Sequence, residues 1–477
     1  MKGYASLSAI SLGILSLFIH GCAVDYRHHI SAIVEDYQHG SYAAAASEAG
    51  NAVIHAEKDD KRDQLALLLE AGATERSANY IPMSTQAFDH ADTLFNYYDE
   101  QAKTRISKET TVAFLNQAAL DYEGTGYDRI MTNVYKALNY LDQGDKDNAR
   151  IEIHRIADSQ RKDEERWSNQ LRQSQQAAKE NNADAQRAQA DPHVQQQTNG
   201  LLSDFNDPED QDALRNLSPK AVYDNPYAEY LQGLFYLYSD DAGDREVGRV
   251  ALRNAAGMMQ SNQYAVADAH LADRVANGGS LPARTYVLFE TGMAPTRVAV
   301  QIYIPVYIRG ANMITVAFPA LKKIRTDVRS LTASTRSGSY QTQMLADMDS
   351  IVAREFKNEL PTIITRAVIS ATLKAAMTYG ADQAAANSGW EASVATQVSM
   401  LLYQGLTNEA DTRTWRTLPK WVELASFDTP ADGNVSLQPE GGPPGQSVHV
   451  NPGHSAFIWV RCPSEFASPV VRVFQLN

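Results

Sequence analysis

Cysteine is almost missing: Cys22 and Cys462 are the only two in 477 residues. A disulfide framework is therefore excluded. A chain this long can bury a sizeable core without such staples. Basic charge is also short, with 43 Lys and Arg against 57 Asp and Glu and a formal net charge of -14. Phosphate neutralisation needs a basic surface, so nucleic acid is not an expected partner. The same balance gives no general attraction to anionic lipid headgroups. The signatures of chemistry are missing as well. The 11 histidines form no His-Glu-x-x-His, and there is no Cys-x-x-Cys. Neither a Gly-x-Ser-x-Gly elbow nor a Gly-x-x-x-x-Gly-Lys phosphate cradle occurs. His28-His29 falls in a tether segment, and Glu164-Glu165 in a charged run that reads as a solvated face. The expectation is a protein that is not an enzyme, with no catalytic residues, no cofactor and no metal.

What is present begins at the N-terminus. Lys2 supplies a short positive region, and Ser8 to Ile19 is a run of apolar and small residues without charge. The run is too short for a comfortable membrane span, which needs about 20 apolar residues, and it has the length of a signal-peptide core. It ends in Ile19-His20-Gly21-Cys22. This resembles the lipobox of bacterial lipoproteins, with His20 departing from the small residue usual there. The resemblance implies that residues 1–21 are removed and that Cys22 takes a diacylglycerol on its thiol and an acyl chain on its amine. Two or three chains anchor stably where one is marginal. The alternatives are an uncleaved anchor or an ordinary secretory signal with a chance cysteine. Ala23 follows Cys22, which by the same resemblance implies sorting to the outer membrane, facing the periplasm. Residues 22–30 then form a tether. Cys462 is left alone, in an alternating stretch that reads as a strand, and is expected to be buried and inert.

From residue 31 to 277 the apolar spacing is helical. In Tyr127 to Ala149, Ile130, Val134, Ala137, Leu138 and Leu141 share one face at steps of three and four. Gly144 suits the left-handed position that ends a helix, and Asp145 can start the next. This looks like a tetratricopeptide repeat, with Ala137 and Ala149 as the small residues that let paired helices approach. Weaker copies lie at Asp36 to Ala45 and at Tyr227 to Ala255, the latter with Gly233 at the small position. An irregular helical bundle is the alternative. Gln64 to Asn96 is helical with an unsettled register, since Gly72 and Pro82 interrupt it. Residues 159–212 break the pattern and predict a polar exposed helix that fades into a mobile linker near Pro192 to Asp210.

Residues 281–477 change period. Strands are expected at Arg284 to Glu290, Arg297 to Ile304 and Met313 to Phe318, the last closed by Pro319. An amphipathic helix is expected at Thr342 to Phe356, and apolar core helices from Pro361 to Tyr379 and from Glu391 to Leu406. Short strands return at Trp421–Phe427, Asn434–Leu437, Ser447–Val450, Phe457–Arg461 and Val470–Phe474. The fold class is α+β multidomain: a tetratricopeptide-like helical region followed by a C-terminal α+β domain.

Between the last helix and the late strands lies Glu409-Ala-Asp411-Thr-Arg413-Thr-Trp415-Arg-Thr-Leu-Pro419. Together with the lipobox, Tyr135-Lys-Ala-Leu-Asn-Tyr-Leu141 and Gly292-Met-Ala-Pro295, it resembles a family of bacterial tetratricopeptide-like outer-membrane lipoproteins. The family's hallmark is A-D-x-R-x-W-x-x-L-P, matched here by Ala410, Asp411, Arg413, Trp415, Leu418 and Pro419. Members are often encoded beside lipoproteins resembling activators of penicillin-binding proteins. The resemblance thus implies envelope proteins, such as lipoprotein regulators of penicillin-binding proteins, as partners. Physically, Asp411 and Arg413 can pair or cap the preceding helix, and Trp415 can bury against the following strand. They mark either a helix-to-sheet junction or a partner contact. The functional expectation is an anchored periplasmic scaffold in envelope assembly or maintenance. A structural subunit of an envelope or secretion complex is the rival, and a peptidoglycan-active enzyme the third reading.

Overall fold

Apolar residues at helical spacing in the first half and at alternating spacing in the second demand different partners for their buried faces. The fold satisfies both around one central sheet. The structure, a computed structural model, describes residues 28–59, 61–105, 120–180, 190–208, 225–306, 312–386 and 410–476. Its helices are α1 (28–38), α2 (Tyr42–Asp59), α3 (Gln64–Ser77), α4 (Ile81–Arg105), α5 (Gly126–Asp142), α6 (Lys146–Glu180), α7 (Pro192–Asn199), α8 (Pro226–Leu237), α9 (Ala242–Met258) and α10 (Gln263–Ala276). Strands follow as β1 (Arg284–Thr291), β2 (Thr296–Val306), β3 (Asn312–Lys322), β4 (Leu331–Thr335), β5 (Gly338–Gln341) and β6 (Gln343–Asp347). Helix α11 (Met348–Ala386) precedes β7 (Trp421–Asp428), β8 (Asn434–Pro439), β9 (Gln446–His449), β10 (Ala456–Cys462) and β11 (Val470–Gln475). The class is α+β, with the helical half first.

The three expected helical hairpins form: α1–α2, held by His29 on Glu48 and the Tyr37 ring against Tyr42, and α5–α6 and α8–α9. Gly144 ends the α5–α6 turn at φ 74°, where a side chain would be strained. Asp145 starts α6 by accepting the Asn148 backbone N–H at 3.1 Å. In α8–α9 the close approach is made by two glycines. A Cβ on Gly233 would stand 2.6 Å from Leu252, and one on Gly248 would stand 2.9 Å from the Gly233 carbonyl oxygen.

The sheet order is β11-β10-β1-β7-β6 in the five-stranded sheet and β5-β4-β8-β9 in a four-stranded one. Strands β1 and β10 are parallel at the centre, Thr285 beside Ala456 through Thr291 beside Cys462. Both are covered on two faces, as central parallel strands usually are. Val287, Phe289, Ile458, Val460 and Cys462 pack with Leu331, Val435 and Leu437 of the four-stranded sheet. Tyr286, Leu288, Phe457 and Trp459 point the other way, into the core shared with the helices. Layers therefore stack as helices, central sheet, outer sheet.

Strands β2 and β3 make a separate antiparallel ribbon. Pro319 does not close β3, as expected from the sequence; it lies inside it, opposite Ala299, and Pro305 lies opposite Met313. Tyr303, in phase with both, turns its N–H and C=O away from β3 to bond a side chain. The prolines thus sit where the missing N–H would face outward, the place a strand tolerates them. Two further expectations are corrected. Thr342 to Asp347 is not helical: β6 pairs with β7, and α11 begins only at Met348. Pro361 does not open a helix but lies within α11. The stretch from Pro192 is no linker, since α7 and the 3-10 turn Gly200–Phe205 bury Val194, Leu201 and Phe205. The helix expected at Glu391 to Leu406 lies outside the described residues. Residues 28–30, assigned to the tether, already belong to α1, where Ile30 is buried and His29 bonds Glu48 at 2.5 Å. Among the described residues no helix is long and apolar enough to cross a membrane.

Candidate functional site

The segment from Asp411 to Lys420 crosses from the helices to the central sheet, with Arg413 and Trp415 buried and Asp411 half-buried. Arg413 makes a two-pronged bond to Asp411, with Nε to Oδ1 at 2.8 Å and Nη2 to Oδ2 at 2.9 Å. Its Nη1 donates to the Arg62 carbonyl at 3.0 Å and to Asp63 Oδ1 at 3.1 Å, in the turn between α2 and α3. Burial alone would raise the Asp411 carboxyl, yet the Arg413 guanidinium holds it below its ordinary value. Trp415 is fully buried, and its rings meet those of Phe88 of α4 and Tyr135 of α5, at separations of 5.7 and 5.8 Å, within the core that also holds Val422 and Leu424 of β7. Its indole N–H donates to Thr417 Oγ1 at 3.0 Å. Glu70 of α3 accepts from the Arg416 N–H (2.5 Å), the Thr417 N–H (3.2 Å) and the Thr417 hydroxyl (2.6 Å). The pairing of Asp411 with Arg413 is thus present as anticipated. Cys22 lies outside the described residues.

A second hub, missed from the sequence, sits on the helix-facing side of β1. Glu290 is fully buried. Its Oε1 accepts from the Tyr227 hydroxyl of α8 and the Trp459 indole of β10, both at 2.8 Å, and its Oε2 from the Tyr135 hydroxyl of α5 at 3.0 Å. Arg461, also buried, brings Nε to 4.0 Å from Oε2. It donates Nη1 to the Glu290 carbonyl and Nη2 to the Thr417 carbonyl, at 3.3 and 3.1 Å. Arg76 lies over the Trp459 ring at 4.4 Å and donates to Asn139 Oδ1 at 2.5 Å. Arg76 stands in the last turn of α3, where the negative end of the helix dipole favours a cation. Burial nevertheless lowers its affinity for the proton.

A third buried charge ties helix to helix. Lys136 of α5 is 2.9 Å from Asp89 of α4 and 2.9 Å from Glu152 of α6, with Asp92 at 2.5 Å. Most polar atoms of the three clusters bond within the fold, while Arg76 Nε and Nη2, Glu152 Oε2 and Arg461 Nε are buried without a hydrogen bond. Among the described residues no group of His, Cys, Asp and Glu could hold a metal ion. Cys462 is buried and free, and burial pushes its thiol up to about 11, away from the reactive thiolate. No protein-family model, curated protein or solved structure matches the chain.

The only sequence sign of the Glu290 hub is charge out of place. Glu290 and Arg461 stand at helix-facing positions beside the apolar runs Tyr286–Phe289 and Ala456–Val460. A charge buried in such a strand demands partners, though the strand does not reveal which ones.

Proposed function

We propose that the protein is a lipid-anchored periplasmic scaffold of the outer membrane that binds envelope proteins and carries out no chemistry itself. The observation that carries this reading is the lipobox-like Ile19-His20-Gly21-Cys22, six residues before His28, the first described residue of α1. Six extended residues reach about 20 Å at most, so acylation of Cys22 would hold α1 close to the bilayer. The three hairpins, read as degenerate tetratricopeptide-like pairs, supply protein-binding faces. Ile54, Ile151, Val247 and Val250 are exposed on them. The polar clusters around Arg413, Glu290 and Lys136 bond chiefly to neighbouring elements of the fold, which favours a role in rigidity over one in catalysis. The family resemblance points to regulators of penicillin-binding proteins as partners. Anchoring would act by raising the local concentration of both partners.

The test has two parts. Metabolic labelling with an alkyne fatty acid should mark the wild type and leave Cys22→Ala unmarked; equal labelling of both overturns the anchor. Capture from solubilised envelopes should recover other envelope proteins with the wild type and lose them with Cys22→Ala. Recovery of this protein alone from both would overturn the scaffold in favour of a structural subunit.

A further inference from the structure

An antiparallel ribbon of two strands has two edges, each with a row of N–H and C=O groups turned outward. On β2 the outward groups belong to the odd-numbered residues, since Tyr303 bonds outward. What it bonds is informative. The side-chain amide of Gln197, from α7, donates Nε2 to the Tyr303 carbonyl at 3.2 Å and accepts the Tyr303 N–H on Oε1 at 2.9 Å. One primary amide thereby makes both bonds that a residue of an added strand would make. Beside this plug, Ala299 and Gln301 are exposed, and among the described residues neither finds a backbone partner outside the ribbon.

The outer face along this edge carries no charge from Ala299 onward: Ala299, Gln301 and Tyr303 are exposed and alternate with Val298, Val300, Ile302 and Ile304 on the other face, and Pro305, next in phase, is buried. Tyr303 and Met313 are 52% and 56% exposed there, unusual for large apolar side chains so close together.

We propose that this edge pairs with β2 of a second copy, antiparallel, with Gln301 opposite its own counterpart. The register follows from the strand itself. Centring on Gln301 sets Ala299 against Tyr303 of the second copy, and Tyr303 against its Ala299, small against large on both sides of the two-fold axis. On the other face it sets Val300 against Ile302 and Val298 against Ile304, β-branched pairs of the kind that stabilise sheets. Pro305, without an N–H, falls opposite Arg297 and ends the pairing. The ribbons join as a four-stranded sheet, β3-β2-β2-β3, and the interface is isologous, as a two-fold axis requires. Helix α7, which packs against β2 and holds Tyr303 through Gln197, must move aside for the outer bonds to form, so it acts as a gate. The proposal does not depend on the scaffold reading or on the lipid anchor.

The test uses the full chain in detergent. Gln301→Cys places two thiols across a hydrogen-bonded pair, where Cα atoms stand about 5.5 Å apart, inside the range a disulfide spans. Oxidation should give a linked dimer with Gln301→Cys. It should give none with the wild type, which controls for Cys22 and Cys462, and none with Ser337→Cys on the outer sheet. Ala299→Pro removes only an outward N–H, as Pro305 and Pro319 already do, so it spares the ribbon and blocks the edge. It should halve the sedimenting mass while leaving the thermal melt in place. Gln197→Ala should shift the population toward dimer at a given concentration. A wild type that sediments as a monomer at every concentration overturns the proposal. So does an Ala299→Pro variant that dimerises as well as the wild type.

Discussion

Replacing Glu290 by Gln isolates one quantity, the charge at the centre of the fold. Glutamine has the shape of glutamate and keeps an oxygen for the Tyr227 hydroxyl and the Trp459 indole, each 2.8 Å from Oε1. Its nitrogen takes the place of Oε2 opposite the Tyr135 hydroxyl at 3.0 Å. That hydroxyl can rotate from donor to acceptor, so the number of hydrogen bonds survives. Their strength does not. Bonds to a charged group contribute about 1.5–3 kcal/mol each, against about 0.5–1.5 for neutral ones. Arg461, 4.0 Å away, also loses the carboxylate that balances it, and leaving one half of a buried pair costs about 3–5 kcal/mol. These effects overlap, so Glu290→Gln should destabilise by about 3–5 kcal/mol in all. Urea unfolding followed by tryptophan fluorescence would measure it, with an unchanged slope showing that the same surface unfolds. The double variant Glu290→Gln with Arg461→Met should recover at least about 1 kcal/mol relative to the sum of the single changes. A cost under about 1 kcal/mol, or strict additivity in the cycle, would refute the account of Glu290 as the counter-charge.

Lys136→Met leaves Asp92 and Glu152 with Arg155 alone and Asp89, half exposed, without its cation; a loss of about 3 kcal/mol, the low end for a broken buried pair, is expected in the same urea assay, and an unchanged midpoint would contradict it. Trp415→Ala empties the space between Phe88 and Tyr135 and should cost about 3–5 kcal/mol, read as a lower melting temperature. Glu75 is buried with Oε2 unpartnered, and burial pushes its carboxyl up from 4.5 to about 7. The folded state then holds this proton more tightly than the unfolded state. The cost of ionising Glu75 is absent below about pH 4.5 and complete above about pH 7, so its contribution lowers stability as pH rises through that window. Glu75→Gln should therefore raise the melting temperature at pH 8 and leave it nearly unchanged at pH 4.5; equal shifts at both would contradict the assignment.

The late strands were legible because β7 to β11 are short runs separated by Gly, Pro and Asn, with β8 alternating cleanly. Gln343 to Asp347 was not, because its spacing also fits the helix that follows. Pairing with β7 overrides it, and Asp347 then caps α11 by accepting the Asp349 N–H at 3.1 Å and the Ser350 hydroxyl at 2.5 Å. Pro361 looked like a helix start because proline suits a first turn; here α11 continues through it, and Thr365 returns a hydroxyl to the Pro361 carbonyl at 2.8 Å. The Asp411–Arg413 pair was readable because its members are two residues apart. The Glu290 hub was not, since Tyr227, Tyr135 and Trp459 stand 63, 155 and 169 residues away.

The parallel pairing of β1 with β10 joins Thr285 to Ala456, far apart along the chain. Every residue between them must be synthesised, and in an exported protein also translocated, before the middle of the sheet can close. Non-local pairing of this kind is slow to form. Until β10 arrives, β1 offers a strand edge and a buried glutamate without its indole donor. A chain emerging N-terminus first would thus spend its longest interval with the helices made and the centre open, the state most exposed to misassembly. A premature stop anywhere before residue 456 would leave it there permanently, so quality control should clear such truncations far faster than most single substitutions in the body of the protein.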